Sequence, residues 1–151
     1  MKFQRLNEEN VGSVAALFSL LKDCARFQPH AFTHDVAEQI CKHRGLDGFY
    51  GGFRASVMLS YGLLRGWDAG FEDPSLGIAI HPEFRGHGLG KRMMVFLHEE
   101  AARLGARRIR LRVHPDNHAA IGMYERIGYV FDGTMDRGQR VGWYYIPQSP
   151  R

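Results

Sequence analysis

The sequence predicts a single α/β domain over residues 1–151, built on a mixed, twisted central sheet of about seven strands with helices on both faces. Three observations predict it. Residues 75–104 pass from an apolar strand-like run, through a glycine-rich turn, into a long amphipathic stretch. Residues 108–113 alternate cleanly, with Ile109, Leu111 and Val113 on one side and Arg108, Arg110 and Arg112 on the other, which is the period of a half-buried strand. The chain as a whole reads β, α, α, β, β, β, α, β, α, β, β, with no internal repeat, low-complexity tract or linker to divide it. A length of 151 residues with 44% apolar and 24% charged residues suits one soluble domain with a real core.

The elements follow in order. Residues 2–6 alternate loosely as a first strand. Asn7 is an N-cap, with Glu8 and Glu9 in the first turn where the helix dipole favours acids. Val11, Val14, Ala15, Phe18, Leu20 and Leu21 form the apolar stripe of a helix that Gln28-Pro29 ends. Thr33 or Asp35 starts a second, short helix through Val36, Ile40 and Cys41, closed near Gly45. Residues 47–65 read as a hairpin, with Phe49 and Phe53 on one arm and Val57, Leu59, Tyr61 and Leu63 alternating on the other. A polar, Gly-containing loop follows from Arg65 to Pro74, then a strand from Ser75 to Ile80. The long helix spans about Leu89 to Leu104, with Leu89, Met93, Phe96, Leu97, Ala101 and Leu104 on one face and Gly105 as its C-cap. After the arginine-bearing strand, Asn117 caps a helix through Ala120, Met123, Tyr124 and Ile127 that Gly128 stops. Strands near 129–135 and 140–146 finish the fold.

Bulk properties narrow the function. No window approaches the 18 apolar residues of a membrane span, and the N-terminus lacks a signal peptide's apolar middle, so a cytoplasmic protein away from membranes is expected. Cys24 and Cys41 lie in apolar-periodic segments and read as buried hydrophobes of a reducing compartment. The net charge of +4 is mildly basic. Arginines cluster at Arg103, Arg107, Arg108, Arg110 and Arg112 without interleaved exposed aromatics, helix-turn-helix or zinc pattern, so no nucleic-acid partner is expected.

The chemistry begins at Arg85-Gly86-His87-Gly88-Leu89-Gly90-Lys91. A strand feeding a glycine-rich turn at a helix N-terminus offers free backbone N–H groups and a positive dipole end, and the glycines let a ligand approach the main chain. A phosphate or pyrophosphate ligand is expected there. A Walker A loop is excluded, because Arg92 replaces the magnesium-binding Ser/Thr and Arg85 stands where the first glycine belongs. The glycine spacing also departs from the Rossmann fingerprint.

With its surroundings the loop becomes more specific. Arg85-Gly86-His87-Gly88-Leu89-Gly90 resembles the Arg/Gln-x-x-Gly-x-Gly/Ala signature of the GCN5-related N-acetyltransferases (GNAT). About 27 residues later, Asn117-His-Ala-Ala-Ile-Gly-Met-Tyr124-Glu-Arg-Ile-Gly128-Tyr129 resembles that family's second motif. The strong resemblance covers residues 75–131, and the N-terminal half agrees in pattern. It implies a GNAT-like acyl-CoA N-acyltransferase fold and acetyl-CoA as cosubstrate. The strand Ile78, Ala79 and Ile80 would pair with the pantetheine arm, and the N–H groups of Gly86, His87, Gly88, Leu89, Gly90 and Lys91 would hold the pyrophosphate, with Arg85 bracing the loop or the phosphates. Asn117 would contact the pantetheine arm while capping its helix, and Tyr124 would protonate the departing thiolate. A backbone N–H near Ile80 or His81 would polarise the thioester carbonyl. No metal is required.

The acceptor side departs from the family. Some relatives that acetylate protein N-termini carry a Glu where Arg112 stands, so the same base and the same acceptor are not expected. Candidate bases are Glu72, Asp73, His81 and His114, or a water chain. Arg112 favours an acceptor with a carboxylate or phosphate, and the loop bearing Trp67 and Phe71 is expected to wall it. The expectation is therefore N-acetylation of a small anionic amine, of amino acid or amino sugar type, by a monomer or homodimer. The alternatives are a protein N-terminal or lysine acetyltransferase, and an acyl-CoA sensor without turnover. A sensor would be expected to lose Tyr124.

Overall fold

The computed structural model describes residues 1–21 and 29–148. Its strands are β1 (Lys2–Arg5), β2 (Gly48–Arg54), β3 (Val57–Arg65), β4 (Ser75–Ile80), β5 (Arg108–Val113), β6 (Val130–Asp136) and β7 (Gln139–Tyr145), and its helices α1 (Val11–Leu20), α2 (His34–Lys42), α3 (Leu89–Arg103) and α4 (His118–Ile127). They form one seven-stranded sheet in the order β1-β2-β3-β4-β5-β7-β6. Every neighbouring pair is antiparallel except β4 and β5, which are parallel. The predicted mixed sheet with helices on both faces is the observed one.

Each face carries its own core. On one side α1 and α2 bury Val14, Leu17, Phe18, Ala37 and Ile40 against Phe53, Met58, Tyr61 and Leu63. On the other, Met93, Met94, Leu97 and Ala101 of α3, with Ile121 of α4, pack on Leu64, Leu76, Ile109, Leu111 and Val113. A strand covered on both faces reads as a near-continuous apolar run, as β3 does, whereas β5 alternates because only its isoleucine-bearing face enters a core. Gly62 sets how closely α3 approaches β3, since a Cβ there would lie 2.5 Å from Met93 Cε and 2.8 Å from Leu97 Cδ1.

Differences from expectation lie at element ends and on stripes. The first helix stops at Leu20, where the N–H of Leu21 turns back to Phe18 C=O at 3.0 Å, rather than continuing to Gln28-Pro29. Cys24 and Gln28 lie outside the described residues. Leu20 and Val57 are exposed, so neither joins its predicted stripe. Thr33 caps α2 by accepting from Val36 N–H, and the helix ends at His43, which turns extended, before Gly45 is reached. Cys41 is buried. Among the described residues no helix is long and apolar enough to cross a membrane.

The β6–β7 hairpin closes through two residues with positive φ, Arg137 at +51° and Gly138 at +78°, between the paired Asp136 and Gln139. That is a type I′ turn, which favours Asn, Asp or Gly at both central positions. An arginine held in left-handed backbone costs about 1–2 kcal/mol.

Candidate active site

The sheet has a seam. β4 and β5 pair only at Ser75–Arg110 and Leu76–Leu111, and beyond Leu76 the two strands part. A cleft of about 590 Å³ opens between them, lined by Ile78, Ala79 and Ile80 of β4, Leu111 to Val113 of β5, the turn before α3, and Asn117 and Tyr124 of α4. β4 remains fully paired with β3 on its other edge. The N–H of His81 donates to Leu59 C=O at 2.8 Å, so the alternation of an antiparallel ladder turns the N–H and C=O groups of Ile78 and Ile80 outward, to the cleft. This decides between the two predicted donors for a thioester carbonyl. His81 is committed to the sheet, and Ile80 is available.

The turn is shaped by its glycines. Gly86 and Gly88 both sit at φ +78°, in the left-handed region. Gly88 begins α3, and its C=O accepts the N–H of Arg92 at 3.2 Å, so the N–H groups of Leu89, Gly90 and Lys91 precede the first intrahelical bond. Gly90 is different: a Cβ there would meet nothing nearer than Met123 Sδ at 3.8 Å. A glycine inside a helix costs about 1 kcal/mol relative to alanine. Packing does not demand it here, and it keeps the helix entrance open to a ligand. Arg85, Gly86, Gly88, Gly90 and Lys91 line the cleft. His87 is exposed and Leu89 buries its side chain, so what these two offer a ligand is main chain. Arg65, Arg85, Lys91, Arg112 and Arg126 line the cleft with no carboxylate among the described residues, a setting suited to anionic groups.

α4 supplies the opposite wall. Asn117 caps it, with Oδ1 accepting the Ala120 N–H at 3.2 Å, and also lines the cleft. Tyr124 lines it about two turns on; burial pushes its phenol up to about 12, so the hydroxyl keeps its proton across the physiological range. The Tyr124 ring leans on Tyr129 at 5.7 Å between centroids. The Tyr129 hydroxyl meets His98 Nε2 at 2.7 Å, and burial pushes that imidazole down to about 4.

A second cleft, of about 860 Å³, is lined by the loop after β3, by Arg110 and Arg112 of β5, and by Asp136 and Arg137 of the β6–β7 hairpin. Arg65, Ser75 and Arg112 line both clefts and so stand where the two meet. The arginine face of β5 is largely spoken for. Arg108 Nε donates to Asp73 at 2.8 Å and stacks over Trp143 at 4.0 Å, and Arg110 Nη2 donates to Asp136 at 2.7 Å. Arg112 is 3.8 Å from the same Asp136 oxygen with its side chain only 14% exposed. Burial first, then the neighbouring Arg110, Arg137 and Arg65, lower its pKa against the pull of Asp136.

The predicted acceptor residues separate here. Phe71 and Glu72 line the second cleft, and Phe71 is 66% exposed. Trp67 does not line it. Its indole packs on the α3-side core and its Nε1 donates to Glu72 C=O at 3.2 Å. Asp73 lines the cleft but is held in the ion pair with Arg108, which removes it as a free base. His81 Nδ1 accepts the Glu83 N–H, and His114 Nδ1 accepts the Asp116 N–H while lining the first cleft. The loop is fixed by two aspartates. Asp47 Oδ1 accepts the N–H groups of Gly66 and Asp68 at 3.0 and 3.1 Å. Asp68 accepts those of Leu46 and Asp47 at 2.7 and 3.2 Å and pairs with His43 at 2.8 Å.

Sequence reasoning missed Arg65, Arg137 and Gln139. Arg65 ends an apolar strand, and only the tertiary fold carries it to the seam. The sequence places the last two strands near 129–135 and 140–146, and the structure tightens the link between them to Arg137-Gly138 and sets it beside the cleft.

Comparisons with known proteins agree with this geometry. The sequence profile described as the acetyltransferase (GNAT) family matches residues 14–129. Among solved structures, an acetyltransferase of the GNAT family from Streptococcus pneumoniae superposes with a TM-score of 0.80 at 17% identity, over 97% of this chain and 99% of that one. The yncA protein of Salmonella typhimurium, solved with its cofactor acetyl-CoA, gives 0.77 at 16% identity, over 100% and 96%. The ribosomal-protein-S18-alanine N-acetyltransferase from Escherichia coli gives 0.72 at 16% identity, over 99% and 96%.

Proposed function

Since this chain belongs to the acetyltransferase (GNAT) family and takes acetyl-CoA as cosubstrate, we propose that it acetylates the primary amine of a small anionic metabolite by direct attack in a ternary complex. The observation that carries the acceptor class is Arg112, nearly buried at the junction of the two clefts where a neutral side chain would cost less.

The residues present suit the cosubstrate. The N–H groups from Gly86 to Lys91 hold the diphosphate, and the outward edge of Ile78 and Ile80 receives the pantetheine arm as an added strand. Asn117 keeps its amide N–H₂ for the same arm while its oxygen caps α4. Acetyl-CoA supplies the acyl group as a thioester. The protein's part is to hold the amine beside it, which converts a bimolecular step into an intramolecular one. The Ile80 N–H polarises the carbonyl. Glu72, whose carboxylate has no ion pair among the described residues, takes the amine proton directly or through water, and Tyr124 gives its proton to the departing sulfur. The C–N bond forms, the C–S bond breaks, and one proton leaves the nitrogen while one reaches the sulfur.

Melting with acetyl-CoA, followed by thiol release across a panel of amines and peptides, tests this reading. The expected result is stabilisation by acetyl-CoA and thiol release favouring acidic small amines. Thiol release on peptides alone would identify a protein acetyltransferase, and stabilisation without release on any amine would identify a sensor. Either result overturns the proposal.

A further inference from the structure

The second cleft gathers three guanidiniums, Arg65, Arg112 and Arg137, none of which holds a carboxylate of its own among the described residues. Of its acidic groups, Asp73 and Asp136 are engaged by Arg108 and Arg110. Asp47 and Asp68 accept backbone N–H groups and fasten the loop. Glu72 is exposed at the rim. Arg65 donates Nη1 to Pro29 C=O at 2.8 Å and meets no carboxylate among the described residues. Among the described residues, the carboxylate Arg112 meets is that of Asp136, at 3.8 Å from the oxygen that Arg110 already holds. Arg137 makes no hydrogen bond or ion pair among the described residues.

Arg137 carries a second, independent mark. Its backbone lies at φ +51° in a turn where Asn or Gly fits without strain. An arginine kept in an unfavourable conformation, over a cleft, beside two other guanidiniums, is placed for a ligand rather than for the fold.

We propose that Arg65, Arg112 and Arg137 together bind a doubly negative end of the acceptor, a phosphoryl group or a pair of carboxylates, and that Arg137 is the residue that sets this preference. The inference rests on the acceptor reading above and narrows it. Three planar forks around one site match a group with several acceptor oxygens, and a single carboxylate would leave at least one fork unmatched. The amine of such a molecule would lie towards Glu72 and the seam, with its acid end towards the hairpin.

The test uses matched amines on the full-length protein: O-phosphoserine against serine, and glutamate against glutamine. In the wild type each acid member should exceed its neutral partner by about tenfold or more in kcat/KM, the scale of one charge-assisted contact. In Arg137→Asn, which suits the turn and folds, that ratio should collapse by about fivefold or more while the KM for acetyl-CoA stays within about twofold. Arg137→Lys should recover part of it. Preference for O-phosphoserine alone assigns the phosphoryl group, and preference for glutamate alone assigns paired carboxylates. Equal use of acid and neutral members, or a ratio unmoved by Arg137→Asn, overturns the proposal. Should no amine release thiol, the protein is melted with saturating CoA and each acid. A shift produced by O-phosphoserine or glutamate and lost in Arg137→Asn supports the anion site even as the acetylation reading fails, and no shift in the wild type overturns it.

Discussion

At the scale of single residues, the site depends on a phenol that cannot easily ionise. Burial lifts the Tyr124 phenol to about 12 and keeps it protonated, so in the proposed reaction it is able to give a proton and not to take one. Tyr124→Phe should lower kcat by about a hundredfold and leave the acetyl-CoA dissociation constant within about twofold, measured by initial rates and calorimetry. His98 behaves oppositely. Its folded pKa of about 4 lies below the ordinary 6.5, so the unfolded chain binds the proton first. Its contribution is fully present above pH 6.5 and is lost as pH falls towards 4, amounting to roughly 3 kcal/mol. His98→Gln keeps an acceptor for the Tyr129 hydroxyl and should flatten that part of the melting temperature against pH. At this scale Arg85, Gly88, Asn117 and Tyr124 could be named from sequence because they stand in the two segments that resemble the family's motifs. Trp67 could not be assigned, since a loop tryptophan turns to core or cleft according to neighbours far away in sequence. Arg65 was hidden for the same reason.

At the scale of elements, strands and helices were legible wherever one period ruled. β5 buries Ile109, Leu111 and Val113, and α3 buries Leu89, Met93, Leu97 and Ala101, as their patterns require. Ends were less legible because they follow from local hydrogen bonds that hydropathy does not encode, as at Leu21 and His43. The reciprocal clasp of Asp47 and Asp68, which fastens the segment before β2 to the loop after β3, has no sequence period at all. Asp47→Ala would orphan the N–H groups of Gly66 and Asp68 and should lower stability by about 1–3 kcal/mol. It should also raise the acceptor KM while sparing that of acetyl-CoA, which separates a positioning role from a merely structural one in paired KM measurements.

At the scale of the whole molecule, the order of elements predicted the sheet, and the parting of β4 from β5 came only with the coordinates. The amides of Gly77 and Ala79 are in the β3 ladder, whereas those of Ile78 and Ile80 face the cleft. Hydrogen exchange should therefore slow at Ile78, Ile80 and residues 86–91 on adding acetyl-CoA, with little change at Gly77 and Ala79. Uniform slowing across β4 would refute the added-strand geometry. The two cores lie on opposite faces of the sheet, one holding α1 and α2, the other α3 and α4. Grafting is thereby permitted: a foreign α1–α2 segment, fitted to the same β3 surface, could replace the native one while both clefts, Pro29 apart, keep their own walls.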